Sequence, residues 1–226
     1  MKNLKKWCGD NLHIDSDIQK IEGYNKKDNF IISEREPGKT TLMWKMIYNA
    51  YVNQDRPSIL IKRYLNDISE SYLEDSANLI SEFTNQKIEF KYKKGDLKSG
   101  LLTIKLNDFD DVFCRVVALN TNISKLKSFK LKNIKYFMFD EFICNKRLGE
   151  KYLEDEPFRI KELYNTYNRE NIKNNLPSIK CYYFGNPYSL FNPFFIDKKV
   201  KTSKLYPGSL ISEDDYVIWC YKMKEK

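Results

Sequence analysis

Asn29-Phe30-Ile31-Ile32-Ser33-Glu34-Arg35-Glu36-Pro37-Gly38-Lys39-Thr40-Thr41 is the stretch whose reading decides the fold. It runs from a short apolar strand through a tight loop into a helix. Gly-Lys-Thr closes the loop, as in the phosphate-binding pattern G-x-x-x-x-G-K-[ST]. Gly38 lacks a Cβ and tolerates positive φ, so the backbone can approach a phosphate closely. The loop N–H groups and the helix N-terminus form a positive concavity for an anion. Lys39 is placed to reach β- and γ-phosphates, and Thr40 to put a hydroxyl on Mg²⁺. Ser33 stands where the pattern has its first glycine. Leu42, Met43, Met46, Ile47 and Ala50 recur at helical spacing, which predicts a helix ending near Gln54, before Asp55-Arg56-Pro57.

Working outward, residues 1–28 read as a polar arm whose Ile14, Ile18 and Ile21 fit one helix face. Ser58–Lys62 is a short apolar run with the signature of a buried parallel strand, bounded by Pro57 and the charged Lys62-Arg63. Residues 66–84 look helical, with Asn66 or Asp67 as cap. Residues 87–93, 101–106 and 112–119 predict an inserted antiparallel hairpin or meander, with turn chemistry at Lys94-Gly95-Asp96. Residues 121–133 read as loop and 157–169 as helix, with Pro157 in its first turn. Residues 171–178 read as loop. Strands are expected at 134–141, 179–184 and 215–221.

Four features then fall in a meaningful order. The phosphate loop is the first. The second is the apolar strand ending in Asp140-Glu141, where Asp140 can hold Mg²⁺ and Glu141 can act as general base on the attacking water. An acidic pair at a strand end is also a common solvated turn; its place after a Gly-Lys-Thr loop in a βαβ setting favours the chemical reading. The third is Gly185-Asn186, where an amide at a strand tip can sense the γ-phosphate, although Gly-Asn-Pro is also plain turn chemistry. The fourth is Arg169, which can face a neighbouring subunit's γ-phosphate or merely complement a helix dipole. Arg35, inside the loop, is a candidate for stabilising transition-state charge in cis. Lys93 and Lys94 at the hairpin, and Lys127 and Lys130 further on, can meet a phosphate backbone or form a solvated face.

Composition narrows the classes. The 226 residues fit one domain, or one with appendages, and 42% hydrophobic content supplies a sizeable core. The formal charge of +8 and a pI near 9.0 permit a polyanionic partner without specifying one. Five widely spaced cysteines (8, 114, 144, 181 and 220), with no C-x-x-C, argue against a disulfide framework or zinc site and for a reducing cytosol. His13 is the one histidine, which argues against a Ser/His/Asp triad. No signal-peptide pattern and no membrane-length apolar run occur. The aromatics fall mainly in expected strands and helices, as core residues do.

The runs 135–143 (Lys-Tyr-Phe-Met-Phe-Asp-Glu-Phe-Ile), 163–169 (Leu-Tyr-Asn-Thr-Tyr-Asn-Arg), Gly185-Asn186-Pro187 and Phe191-Asn192-Pro193-Phe194-Phe195 resemble the DNA-packaging (encapsidation) ATPases of small phi29-like tailed phages. Ile59-Leu60-Ile61-Lys62-Arg63-Tyr64 is similar to the strand after that family's first helix, so the resemblance covers about residues 29–196. It implies an α/β P-loop NTPase of the additional-strand, catalytic-glutamate type. Such a domain has a mostly parallel central sheet, helices on both faces and, here, the inserted hairpin. The expected organisation is an arm (1–28), a P-loop ATPase domain (29–200) and a C-terminal segment with a last strand (201–226). The family's C-terminal nuclease-like domain is expected to be missing.

By the same resemblance, the function is ATP-driven packaging of double-stranded DNA into a procapsid. ATP and Mg²⁺ are bound at 33–41 (Ser33, Glu34, Arg35, Glu36, Pro37, Gly38, Lys39, Thr40, Thr41) and Asp140. Glu141 is the catalytic glutamate, Arg169 the trans-acting arginine, and Asn186 part of the coupling motif. The implied partners are double-stranded DNA, the portal or connector, and a homo-oligomeric ring. That ring is a pentamer on the portal, a monomer being the alternative in isolation. The implied location is the host cytoplasm, transiently the portal vertex, with no membrane. The competing readings are another P-loop ATPase or kinase, although no arginine-rich lid is visible, and a catalytically silent nucleic-acid-binding assembly protein.

Overall fold

Every residue of β1 (Asp28–Ile32) is buried, as a strand covered on both faces must be. The computed structural model containing it describes residues 4, 15–35, 38–122, 124, 126 and 131–222. The remaining elements follow in order: α1 (Asp15–Gly23), α2 (Lys39–Gln54), β2 (Ser58–Lys62), α3 (Glu70–Thr84), β3 (Phe90–Lys91), β4 (Leu101–Leu106), β5 (Cys114–Ala118), β6 (Tyr136–Phe139), α4 (Glu156–Lys173), β7 (Lys180–Gly185), α5 (Pro193–Asp197), β8 (Leu210–Ser212) and β9 (Tyr216–Cys220).

The strands form one nine-stranded sheet in the order β3-β4-β5-β2-β6-β7-β1-β9-β8. Its centre is parallel: β5, β2, β6, β7, β1 and β9 each pair in parallel with their neighbours. Only the edges are antiparallel, through β4 with β3 and β5 on one side and β8 with β9 on the other. Strand β7 lies between the phosphate-loop strand β1 and the acidic-pair strand β6, the arrangement that the additional-strand reading requires.

The period-2 alternation of each strand divides two cores. Ile31, Leu60, Met138, Tyr182 and Val217 face α1, α2 and α3. Phe30, Ile59, Ile61, Phe137, Phe139, Tyr183 and Ile218 face α4 and α5. The second core is an aromatic cluster around Phe30, which stacks on Tyr183 at 4.5 Å between ring centroids. Phe142 and Phe195 pack against Phe30 at 5.4 and 5.5 Å. The strings Phe-Asp-Glu-Phe-Ile and Asn-Pro-Phe-Phe therefore meet in space, and both rest on the strand that leads into the phosphate loop.

Several local expectations need correction. The cap of α3 is Ser69, whose Oγ accepts from Tyr72 N at 3.1 Å, and not Asn66 or Asp67, which lie in a preceding 3-10 turn. The strand expected over 87–93 shrinks to Phe90–Lys91, because β3 pairs with β4 through only two residues at the sheet edge. The turn at Lys94-Gly95-Asp96 is a 3-10 helix, Lys94–Lys98. In the expected loop 121–133, Ser124 and Leu126 are helical and Leu126 is buried. Helix α4 continues to Lys173, since Asn171 is fully buried and bonds the Ile134 N–H and carbonyl with its side chain. Helix α5 and strand β8 were not anticipated. Both are too short for periodicity to show.

Cys114, Cys144, Cys181 and Cys220 are buried free thiols. Among the described residues no helix is long and apolar enough to cross a membrane.

Candidate nucleotide site

The C-terminal ends of β1, β6 and β7 converge on one cavity of about 300 Å³, as ligand sites in open α/β sheets do. It is lined by Arg35, Gly38, Lys39, Thr40, Thr41, Asp140, Glu141 and Gly185-Asn186. Strand β1 delivers the loop. Gly38 then turns it with φ 87°, a conformation open to glycine at little cost, and α2 starts at Lys39. The loop residues Glu36 and Pro37 lie outside the described residues, as do Lys127 and Lys130.

Lys39 is held by its own loop. Its Nζ donates to Ser33 O and Ser33 Oγ at 2.9 Å, Glu34 O at 2.7 Å and Asn186 Oδ1 at 2.9 Å. Burial pushes its pKa down to about 8, against the opposing pull of the Asp140 and Glu141 carboxylates. Ser33, at the position of the missing glycine, thus supplies a hydroxyl acceptor to the loop lysine. Asn186 continues the network, its Nδ2 donating to Tyr188 Oη at 3.2 Å. Arg35 Nε donates to the same oxygen at 3.2 Å.

Opposite the loop stands Asp140-Glu141. The carboxylate of Asp140 is buried and takes a 2.9 Å hydrogen bond from Lys62 Nζ, itself buried over the Tyr72 ring. Burial disfavours the Lys62 charge, but Asp140 outweighs it and holds the ammonium well above its ordinary pKa. Glu141 has φ 58°, in the left-handed region that costs a non-glycine residue on the order of 1 kcal/mol. Its side chain opens to the cleft. The enclosing protein still pushes its carboxyl above the usual carboxylate range, and the neighbouring Asp140 charge adds to the effect.

Thr40 and Asp140 line the same cavity and offer hard oxygen donors, which fits Mg²⁺. Among the described residues no cluster of three or more His, Cys, Asp or Glu could cage a metal.

Arg169 is exposed. Helix α4 begins at Glu156, beside the cleft, and by Asn168 and Asn171 has reached the residues that lead into β7 and β6. Thirteen residues at 1.5 Å each put Arg169 about 20 Å down the helix axis. Lys93 is exposed, while Lys94 bonds Glu70 at 3.2 Å.

Sequence reasoning missed Lys62, Arg63, Glu156 and Tyr188. The signal available was Lys62-Arg63 closing an apolar strand at the sheet edge that carries the site. It reads as a mere boundary until the sheet order is known.

The fold matches solved structures. The N-terminal domain of the DNA packaging ATPase from bacteriophage phi29 superposes with a TM-score of 0.68 at 22% identity, covering 89% of this chain and 93% of that one. The fold is that of the phi29-type packaging ATPase domain. The Phi-28 DNA packaging motor also carries this packaging-ATPase fold, with a TM-score of 0.66 at 14% identity, over 89% of this chain and 58% of that one. In sequence, the DNA packaging proteins of Bacillus phages PZA and phi29 are each 24% identical over 184 residues, 79% of this chain. The chain spans about half the length of these curated relatives, 48%. No family model matches the sequence.

Proposed function

We propose that the chain is the ATP-hydrolysing domain of a motor that packs double-stranded DNA into a phage procapsid through its portal. The observation that carries this reading is the convergence of Lys39, Thr40, Asp140, Glu141 and Asn186 on one cavity within the packaging-ATPase fold.

On this reading Lys39 exchanges its loop carbonyls and Asn186 for the β/γ-phosphate oxygens, and the loop N–H groups take the remaining phosphate charge. Thr40 and Asp140 would hold Mg²⁺, which when bound would supply positive charge against the phosphates. Glu141 orients the attacking water and accepts its proton. Arg35 acts in cis. Arg169 acts across a ring interface, for which its distance from its own loop is support. Loss of the γ-phosphate returns Lys39 to Asn186 and moves the Gly185-Asn186-Pro187 tip. The exposed Lys93 and Lys94, together with Lys127 and Lys130 from the lysine-rich stretch of the sequence, meet the DNA backbone without reading sequence. The ring works on the portal, in the host cytoplasm.

Steady-state phosphate release by wild type and Glu141→Gln, with DNA and portal present, tests the reading. Wild-type turnover is expected, with a loss of about 10²- to 10⁴-fold in the variant and nucleotide affinity retained. Absence of wild-type hydrolysis under all these conditions sinks it in favour of a silent assembly protein.

A further inference from the structure

Arg63 follows β2 directly, and consecutive residues of a strand project to opposite faces. Lys62 goes to one face and takes the Asp140 carboxylate. Arg63 goes to the other, where its guanidinium is buried against a carboxylate and two backbone carbonyls. Nε reaches both Glu156 oxygens, at 3.0 and 3.1 Å, and Nη2 reaches Glu156 Oε1 at 3.0 Å. Nη1 donates to the Glu141 carbonyl at 3.0 Å, and Nη2 to the Phe142 carbonyl at 2.8 Å. Glu156 is fully buried and also accepts from Leu153 N at 3.0 Å.

The two carbonyls matter because of where they sit. Glu141 adopts φ 58°, which turns its carboxylate into the cavity shared with Lys39 and Thr40. A non-glycine residue keeps such a conformation only when its surroundings over-determine it. The Phe142 N–H is fixed by Phe184 O at 3.0 Å, and the flanking carbonyls are fixed by Arg63. The ion pair with Glu156 fixes Arg63 in turn. A lysine in its place could neutralise Glu156 but has no planar fork to span both carbonyls.

We infer that Arg63, anchored by Glu156, is a positioning residue that holds the Glu141 peptide in its left-handed conformation and so aims the catalytic carboxylate. The inference rests on Glu141 being that carboxylate, as proposed above. Arg63 itself does not line the cavity. Its loss acts on the chemical step and spares binding.

The test compares wild type, Glu141→Gln, Arg63→Lys and the double variant Arg63→Met/Glu156→Leu. The double variant removes the buried pair together and leaves no lone charge inside. Melting curves, affinity for a non-hydrolysable ATP analogue and kcat are measured for each. Both Arg63 variants should fold and keep analogue affinity within about threefold. They should lose more than about tenfold in kcat. A folded variant with a smaller loss in kcat overturns the inference. So does a loss of kcat matched by a loss of analogue affinity, or failure of both variants to fold, since Arg63 would then be structural only. Wild type without turnover, or Glu141→Gln with full turnover, instead overturns the reading of Glu141, and the inference falls with it.

Discussion

The Nζ of Lys39, at the start of α2, donates to Oδ1 of Asn186, at the tip of β7, across 2.9 Å. The lysine that a phosphate would claim is already bonded to the segment proposed to report that phosphate. On the proposed reading nucleotide binding would break this bond and γ-phosphate loss would let it re-form, giving the strand tip two states with no further moving part.

Lys39 also predicts how affinity depends on pH. Its pKa in the free protein is lowered to about 8, chiefly by burial. Phosphates favour the charged ammonium, so binding raises this pKa. Below about pH 8 the ammonium is already present and affinity should be flat. Above it, binding must take up a proton, and affinity should fall by up to about tenfold per pH unit. Titration of a non-hydrolysable ATP analogue from about pH 6.5 to 9.5, in buffers of different ionisation enthalpy, reads both the slope and the proton uptake. Constant affinity to about pH 9.5 would count against Lys39 as the phosphate ligand.

Arg35 and Arg169 are separated by a mixing experiment. Lys39→Ala cannot bind phosphate in its own site, and Arg169→Ala cannot complete a neighbour's. Each alone should lose about 10³-fold or more in kcat. Mixed rings should recover measurable turnover. Arg35→Ala mixed with Lys39→Ala should recover none, because Arg35 belongs to the loop it serves and every site then lacks one of the two residues. Mixtures as inactive as their components, where rings form, place Arg169 outside the interface.

The aromatic cluster around Phe30 makes a stability prediction. Phe142 is fully buried against Phe30, Tyr183, Phe194 and Phe195. Phe142→Ala should cost about 3–5 kcal/mol in urea-induced unfolding. Gly185→Ala attacks the same contact from the other side. A Cβ there would lie 2.8 Å from Phe142 Cε1, so the ring must move and carry the Glu141 peptide with it. That variant should lose kcat out of proportion to its loss of stability.

DNA contacts through exposed lysines should weaken steeply with salt and show little sequence preference. Lys93→Ala should lower the slope of log affinity against log salt by about one. Lys94→Ala should lower it less, because Lys94 already has a carboxylate partner in Glu70. A slope near zero in the unmodified protein removes phosphate tracking.

The parts of the site that were legible in the sequence are those whose chemistry depends on neighbours in the chain. Gly38-Lys39-Thr40 and the strand ending in Asp140-Glu141 carry their own context, since a loop must join strand to helix and an acidic pair must end an apolar run. Lys62 and Glu156 were unreadable for the opposite reason. Their partners are 78 and 93 residues away, and only the sheet order β2-β6-β7 brings them together. The left-handed turn at Glu141 was also hidden, because glutamate gives no local signal for positive φ. The edge strands were misjudged in opposite ways: the alternation over 87–93 overstated β3, which keeps two residues, and β8, with three, is too short for an alternation to register.

Helix α4 begins at the Arg63–Glu156 pair and carries Arg169 near its far end, in eighteen unbroken residues. In a ring, the element that braces one subunit's glutamate would be the same rigid rod that presents an arginine next door. A small tilt at the Glu156 end is magnified at the Arg169 end. Each protomer's readiness to hydrolyse would then be mechanically geared to what it offers its neighbour, so that firing order around the ring is set by a lever and needs no separate messenger.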